Sequence, residues 1–81
     1  MVEVVFTEKF EREMKKADAS IKQQAVKQIN KIISSPEIGK PLQYDLKGER
    51  TVHVKPYRII YSFSNNTLYF LRFQHRKDVY E

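Results

Sequence analysis

Basic and titratable side chains are concentrated in the last third of this 81-residue chain, in a region with the alternating pattern of β-strands. If residues 51–55, 58–63 and 68–73 are consecutive strands, their successive side chains point to opposite faces of a sheet. One face is then apolar and consists of Val52, Val54, Ile59, Tyr61, Phe63, Leu68 and Phe70. The other face is mixed and consists of Thr51, His53, Lys55, Arg58, Ile60, Ser62, Tyr69, Leu71 and Phe73. The first pattern predicts a core, and the cationic end of the second predicts a surface that handles phosphate groups.

Arg58 is the central candidate on this surface. Its guanidinium is planar and permanently charged, and it presents paired donors that match the oxygens of a phosphate. In a hairpin whose turn is Pro56-Tyr57, Lys55 lies opposite Arg58 and His53 lies opposite Ile60, which places the polar groups on one face. The alternative interpretation is structural, with the stem of Arg58 covering apolar surface.

The residues after the last strand add further candidates. Histidine changes charge near neutral pH, so His53 and His75 are candidates for proton transfer, although each is also explained as an ordinary surface histidine. A tyrosine phenol ordinarily titrates near about pH 10, so Tyr80 can act as a base only if cations such as Arg58 or Arg76 stabilise the phenolate. The alternative for Tyr80 is an aromatic ring packed on the sheet.

Composition restricts the function classes. Fifteen Lys and Arg against ten Asp and Glu give a net charge of +5, which favours polyanionic partners, although basic domains are also common for solubility alone. We interpret Lys47, Arg50, His75 and Lys77 as contacts to the phosphates of a nucleic acid, with solvated charge as the alternative for the exposed ones. The chain has no cysteine, which excludes disulfides and thiolate metal sites. Its two histidines also lack metal-site spacing, so we predict neither a metal nor another cofactor.

Length and hydropathy predict one domain, residues 1–81, in the cytoplasm and without a membrane segment, because the apolar run near the N-terminus is too short for one.

A strand at residues 2–6 precedes a helix at 8–16 with Thr7 as its N-cap. A second helix begins near residue 19. Asp18 and Ser20 are both candidate caps, and Ser20 and Gln23 fit a capping box. Apolar residues recur at helical spacing along its buried face: Ile21, Ala25, Ile29, Ile32 and Ile33.

The remaining segments connect these elements. We interpret residues 36–42 as a connection, residues 43–45 as a short extended segment, and Lys47-Gly48 as a turn. Asn65-Asn66 is a favourable two-residue hairpin turn because asparagine tolerates positive φ. The predicted fold is therefore α+β: an N-terminal strand, an antiparallel helical hairpin, and an antiparallel meander of three or four strands with the helices on one face.

Several local motifs, taken in this order, resemble the RelE/ParE toxin superfamily, and most closely its RelE-like messenger-RNA interferases. The motifs lie at residues 46–48 (Leu-Lys-Gly), 56–61 (Pro-Tyr-Arg-Ile-Ile-Tyr) and 75–80 (His-Arg-Lys-Asp-Val-Tyr). The resemblance implies a toxin that cuts messenger RNA in the ribosomal decoding site and is neutralised by a RelB-like antitoxin, as a heterodimer or heterotetramer. By this resemblance Arg58 matches the family's phosphate-binding arginine, Arg76 its second catalytic arginine and Tyr80 its catalytic tyrosine.

The implied reaction is attack by the RNA's own 2′-hydroxyl, which needs a base, an acid and positive charge but no metal. The chain departs from the family in one respect: the lysine pair on the strand before the Tyr-Arg segment is not retained in register, and Arg50, His53 and Lys55 stand in that region instead. The same superfamily includes ParE-like proteins that inhibit DNA gyrase without cutting RNA. Gyrase inhibition is therefore the alternative function, because a fold alone does not fix an activity.

Overall fold

A computed structural model describes residues 2–42 and 48–77, which form two helices and a five-stranded mixed sheet. The elements are β1 Glu3–Phe6, α1 Glu8–Lys15, α2 Ala19–Ser34, β2 Lys40–Pro41, β3 Glu49–Val54, β4 Tyr57–Ser64 and β5 Thr67–His75. The strand order is β1-β5-β4-β3-β2, with β1 parallel to β5 and the other neighbours antiparallel. The predicted α+β fold with an antiparallel meander is confirmed. The predicted extended segment at 43–45 lies outside the described residues.

Both helices begin at side-chain caps. The Thr7 hydroxyl accepts the Phe10 N–H at 3.1 Å and donates to the Leu71 carbonyl at 3.0 Å, so this cap also joins α1 to β5. Asp18 Oδ1 accepts the Ile21 N–H at 2.9 Å. Ser20 lies within the first turn of α2, so the capping box predicted for it is wrong. The Asp18 carboxylate already occupies the position from which a side chain can satisfy the free amides of that turn.

The core lies between the helices and one face of the sheet. α1 contacts β5 and α2 contacts β3. The buried hydrophobic residues of this cluster are Phe10, Ala17, Ala25, Ile29, Ile32, Val54, Ile59, Tyr61, Leu68, Phe70 and Phe73. Ile21 and Ile33 pack against it, so the predicted buried face of α2 is confirmed. In the described part of the chain, no helix is long and apolar enough to cross a membrane.

The two hairpin turns differ in how well the sequence predicts them. Asn65 and Asn66 have φ values of 51° and 61°, which confirms the asparagine turn between β4 and β5. The turn between β3 and β4 consists of Lys55 and Pro56, so the predicted Pro56-Tyr57 turn is wrong. Tyr57 belongs to β4, where it pairs with Val54 and His75, and its ring stacks on Phe73 with centroids 4.6 Å apart. His53 therefore pairs with Arg58, not with Ile60. This two-residue shift leaves every side chain of β3 and β4 on its predicted face, because strand side chains alternate with period two.

A β-bulge changes the face of Phe73. Ile60 pairs with Arg72 while Tyr61 pairs with Phe70, so Leu71 is an extra residue on β5. Beyond it the alternation changes phase. Phe73 is consequently buried in the core, 1% exposed, and its predicted place on the polar face is wrong.

The loop between α2 and β2 is held against the core by a buried hydroxyl. Tyr61 donates to the Pro36 carbonyl at 2.6 Å and accepts the Gly39 N–H at 2.9 Å. Burial raises the pKa of Tyr61 above its ordinary value of 10.0, so the hydroxyl remains a donor. Gly39 permits this approach, since a Cβ there would stand 2.6 Å from the Tyr61 oxygen. The short strand β2 follows directly, within a segment predicted as a plain connection.

A carboxylate of α1 covers the edge of β5 beyond the end of β1. Glu13 accepts three hydrogen bonds from the Arg72 guanidinium at 2.7 to 3.2 Å and one from the Phe73 N–H at 2.9 Å. Burial alone would raise the pKa of Glu13, but the hydrogen bonds from Arg72 and Phe73 and the charge of Arg72 together lower it. The ionised carboxylate therefore joins α1 to the sheet.

We expect this carboxylate to make the stability of the fold depend on acid pH. A glutamate whose pKa is lower in the folded state stabilises the fold above its ordinary value of 4.5, and that contribution is lost as the pH falls through the folded pKa. Glu13→Gln should therefore lose less free energy of unfolding than wild type between pH ~7 and pH ~3.5. Urea unfolding at both pH values measures this, with Glu8→Gln at an exposed position of α1 as the control. Equal losses in wild type and Glu13→Gln would contradict the assignment.

Candidate functional site

The face of the sheet opposite the helices carries a row of three polar residues on adjacent strands. His53 on β3 pairs with Arg58 on β4, and Arg58 pairs with Gln74 on β5. Directly paired residues of an antiparallel ladder point to the same face, so all three side chains project together. Their neighbours on the other face are the buried residues Ile59 and Phe73. The core thus fixes the backbone that carries this row.

Arg58 is half-buried, and among residues 2–42 and 48–77 the side chain that holds its guanidinium is Gln74. Nε and Nη2 donate to Gln74 Oε1 at 3.4 and 3.3 Å. These two donors form one lateral edge of the guanidinium plane. The terminal edge, made by Nη1 and Nη2, is a second edge that can form paired hydrogen bonds with a phosphate or carboxylate. Arg58 is therefore oriented by the protein and retains donors for a ligand.

Two further cations lie at the same end of the sheet. Lys55 is exposed in the turn that leads into β4. The Arg76 N–H donates to the Pro56 carbonyl at 2.8 Å, which places the first residue after β5 against that turn. Arg76 is exposed. The structure therefore brings Lys55, Arg58 and Arg76 to one end of the molecule, with His53 opposite Arg58.

Among the other predicted site residues that the structure describes, His75 does not join this group. His75 pairs with Tyr57 on the helix side of the sheet, where its ring meets the Tyr57 ring edge-on with centroids 5.0 Å apart. Its Nδ1 accepts the N–H of the exposed Lys77 at 3.1 Å. Lys47 and Tyr80 lie outside the described residues.

The Arg50 guanidinium binds backbone carbonyls of its own chain. Arg50 pairs with Tyr61 on the helix side, and its Nη1 donates to the Glu37 carbonyl at 3.2 Å and to the Gly39 carbonyl at 2.8 Å. These bonds hold the same loop that Tyr61 holds. The guanidinium thus lies on the opposite face from Arg58, directed at backbone oxygens of its own chain.

Residues 2–42 and 48–77 contain no group of three or more histidine, cysteine or acidic residues that could hold a metal ion.

Sequence reasoning missed Gln74 as the partner of Arg58. The signal that could have found it is the register of β4 and β5, but the bulge at Leu71 shifts that register and is not visible in the sequence.

This arrangement can be compared with known proteins. Residues 4–80 match the family model described as the ParE toxin of the type II toxin-antitoxin system parDE. The chain belongs to this family. The predicted resemblance to the RelE/ParE superfamily is thereby confirmed, and this ParE-family chain is the toxin component of a type II toxin-antitoxin system.

Solved structures show the same fold. The toxin-antitoxin complex RelBE2 from Mycobacterium tuberculosis is 28% identical with a TM-score of 0.78, and the match covers 93% of this toxin and 98% of that chain. The RelB-RelE complex from Methanococcus jannaschii is 21% identical with a TM-score of 0.79 and 94% coverage of each chain. The isolated RelE toxin of E. coli is 15% identical with a TM-score of 0.80, covering 93% of this toxin and 84% of that chain. A comparison with curated proteins found no match.

Proposed function

We propose that this toxin is a ribosome-dependent endoribonuclease of the cytoplasm that cuts messenger RNA in the decoding site and so inhibits translation. The observation that carries the proposal is the guanidinium of Arg58, oriented by Gln74 on the face of the sheet that the helices leave uncovered. Lys55, Arg76 and His53 surround the same end of β4. Such a cluster suits a polyanion whose reacting phosphate gains charge during the reaction.

The reaction we propose is metal-independent attack of the RNA 2′-hydroxyl on the adjacent phosphate. Arg58 stabilises the negative charge on the phosphorane, and Arg76 adds a second cation. The attack needs a base for the 2′-hydroxyl and an acid for the departing 5′-oxygen. We assign these proton transfers to Tyr80, His53 and Lys55 as a group. Lys47 and Lys77 then contact phosphates along the message, where lysines position a nucleic acid without reading its sequence.

The proposed partner is a cognate RelB-like antitoxin. The relatives from M. jannaschii and M. tuberculosis are toxin-antitoxin complexes, the first of them with RelB. A basic toxin of net charge +5 suits an acidic segment that is disordered when free and orders on binding. We propose a heterodimer or heterotetramer of the two proteins.

A second candidate function is inhibition of DNA gyrase by binding without catalysis. Two observations favour it: the matching family model is that of the ParE toxin, and the lysine pair of RelE-like interferases is absent from the strand before Arg58. Gyrase inhibition needs no organised phosphate site. The orientation of Arg58 by Gln74 is therefore the feature that favours the nuclease.

A cell-free translation reaction with purified components separates the two functions. We expect the toxin to stop protein synthesis and shorten the message only when ribosomes are present. A parallel supercoiling reaction with DNA gyrase should be unaffected at the same toxin concentration. Intact message together with lost supercoiling would reject the nuclease and support the gyrase inhibitor.

A further inference from the structure

We propose that Gln74 is a positioning residue for Arg58. It holds the guanidinium by its lateral edge and so presents the terminal edge to the scissile phosphate. The inference rests on the proposed nuclease function and adds to it a residue outside the phosphate-contacting groups. Gln74 pairs directly with Arg58 across β4 and β5, so the two side chains start from neighbouring positions on one face.

The geometry of the hydrogen bonds determines which donors remain. Gln74 Oε1 receives one hydrogen from Nε and one from Nη2 of Arg58. A guanidinium has five N–H donors, so three of them receive no acceptor from the part of the chain that the structure describes, including the pair on the terminal edge. One amide oxygen thus fixes the plane of the guanidinium and leaves the terminal edge for a phosphate.

The partner of Arg58 is uncharged, whereas a second arginine of the same sheet, Arg72, has a charged partner. Arg72 is bound by the carboxylate of Glu13 at distances down to 2.7 Å, a salt bridge that joins α1 to β5. Arg58 is bound by an amide at 3.3 to 3.4 Å. A carboxylate neutralises the cation it holds, whereas an amide orients the cation and leaves its charge available. A carboxylate thus holds Arg72, which joins two elements, whereas an amide holds Arg58.

The backbone beneath the pair makes this orientation precise. Ile59, which follows Arg58 on β4, and Phe73, which precedes Gln74 on β5, pair with each other and are 0% and 1% exposed. The Phe73 ring is further held by Tyr57 and Phe10. Arg58 and Gln74 therefore extend from a fixed part of the sheet. A small change in the geometry of these side chains would move the guanidinium relative to the reacting phosphate, and such displacements affect reaction rates strongly.

The test removes the acceptor without removing volume. Gln74→Met should lower the kcat of ribosome-dependent cleavage by about 10- to 100-fold, with a smaller change in KM and an unchanged thermal midpoint. In an Arg58→Ala background the same substitution should cause no further loss, because Gln74 acts through Arg58. Gln74→Glu should also lower kcat, since a carboxylate would pair with the guanidinium. Gln23→Met, at an exposed position of α2, is the matched control and should cleave as wild type does.

A second measurement keeps this inference separate from the proposed function. Hydrogen exchange of the Arg58 Nε–H, followed by NMR on the free toxin, should be slow in wild type and Gln74→Glu and faster in Gln74→Met. If wild type cuts no message, the nuclease proposal fails, and the exchange rates alone decide whether Gln74 holds Arg58. Equal exchange in wild type and Gln74→Met would overturn the inference. So would cleavage by Gln74→Met within about twofold of wild type, or an equal loss in the Arg58→Ala background.

Discussion

Arg58→Ala is expected to reduce ribosome-dependent cleavage by about 10²- to 10³-fold, the range seen when one preorganised donor to a developing anion is removed. The substitution leaves Gln74 without its guanidinium and removes the central cation of the row that includes His53. Arg58 is only half-buried and lies on the uncovered face, so we expect the fold to survive. Single-turnover cleavage of message on programmed ribosomes measures the loss.

Two control variants separate the role of Arg58 from its charge. Arg12→Ala removes one positive charge from the exposed surface of α1, a helix that covers the opposite face of the sheet. It should cleave within a few-fold of wild type. Arg58→Lys keeps the charge but loses the paired donors, and should recover only part of the activity. Equal activity of Arg58→Ala and Arg12→Ala would contradict a role for Arg58 in the reaction.

Phe70→Ala is expected to destabilise the folded state by about 3 to 5 kcal/mol, the usual cost of truncating a fully buried phenylalanine. Phe70 is 0% exposed, and its ring lies 5.1 Å from that of Phe6, 5.6 Å from that of Phe10 and 6.0 Å from that of Tyr61. It therefore joins β1, α1 and β4 through β5. A loss of this size is a large part of the stability of a small domain. Urea unfolding measures it.

The adjacent residue provides the matched control for this substitution. Tyr69 precedes Phe70 on β5, points to the other face and is 37% exposed. Tyr69→Ala should cost much less than Phe70→Ala, because its ring keeps part of its contact with water in the folded state. Similar losses for the two variants would show that the helix side of the sheet is not the principal core.

Local sequence signals predicted most of the fold. The Thr7 cap, the apolar spacing of α2 and the Asn65-Asn66 turn each depend on a few neighbouring residues, and all are confirmed. The parallel pairing of β1 with β5 and the two-residue strand β2 were not predicted. Both are contacts between distant parts of the chain. A strand as short as β2 leaves no periodic pattern to recognise.

The site was predicted less completely than the fold. The face of Arg58 was correct in spite of the wrong turn, because the register error was an even number of residues. Phe73 was assigned to the wrong face because the bulge at Leu71 adds one residue to β5. Arg50 resembled an RNA-binding cation by type alone, and only its bonds to two loop carbonyls reveal its structural environment. Basic residues that hold loops and those that hold ligands look alike in a sequence.

Cleavage of a message with one altered sugar tests the central claim most directly. Ribosomes would be programmed with an all-RNA message or with the same message carrying 2′-deoxynucleotides in the decoding-site codon, and new 5′ ends would be mapped by primer extension. We predict that the toxin cuts the all-RNA message within that codon and leaves the deoxy message intact, because the attacking 2′-hydroxyl is missing. An uncut all-RNA message, or equal cutting of both messages, would contradict the account.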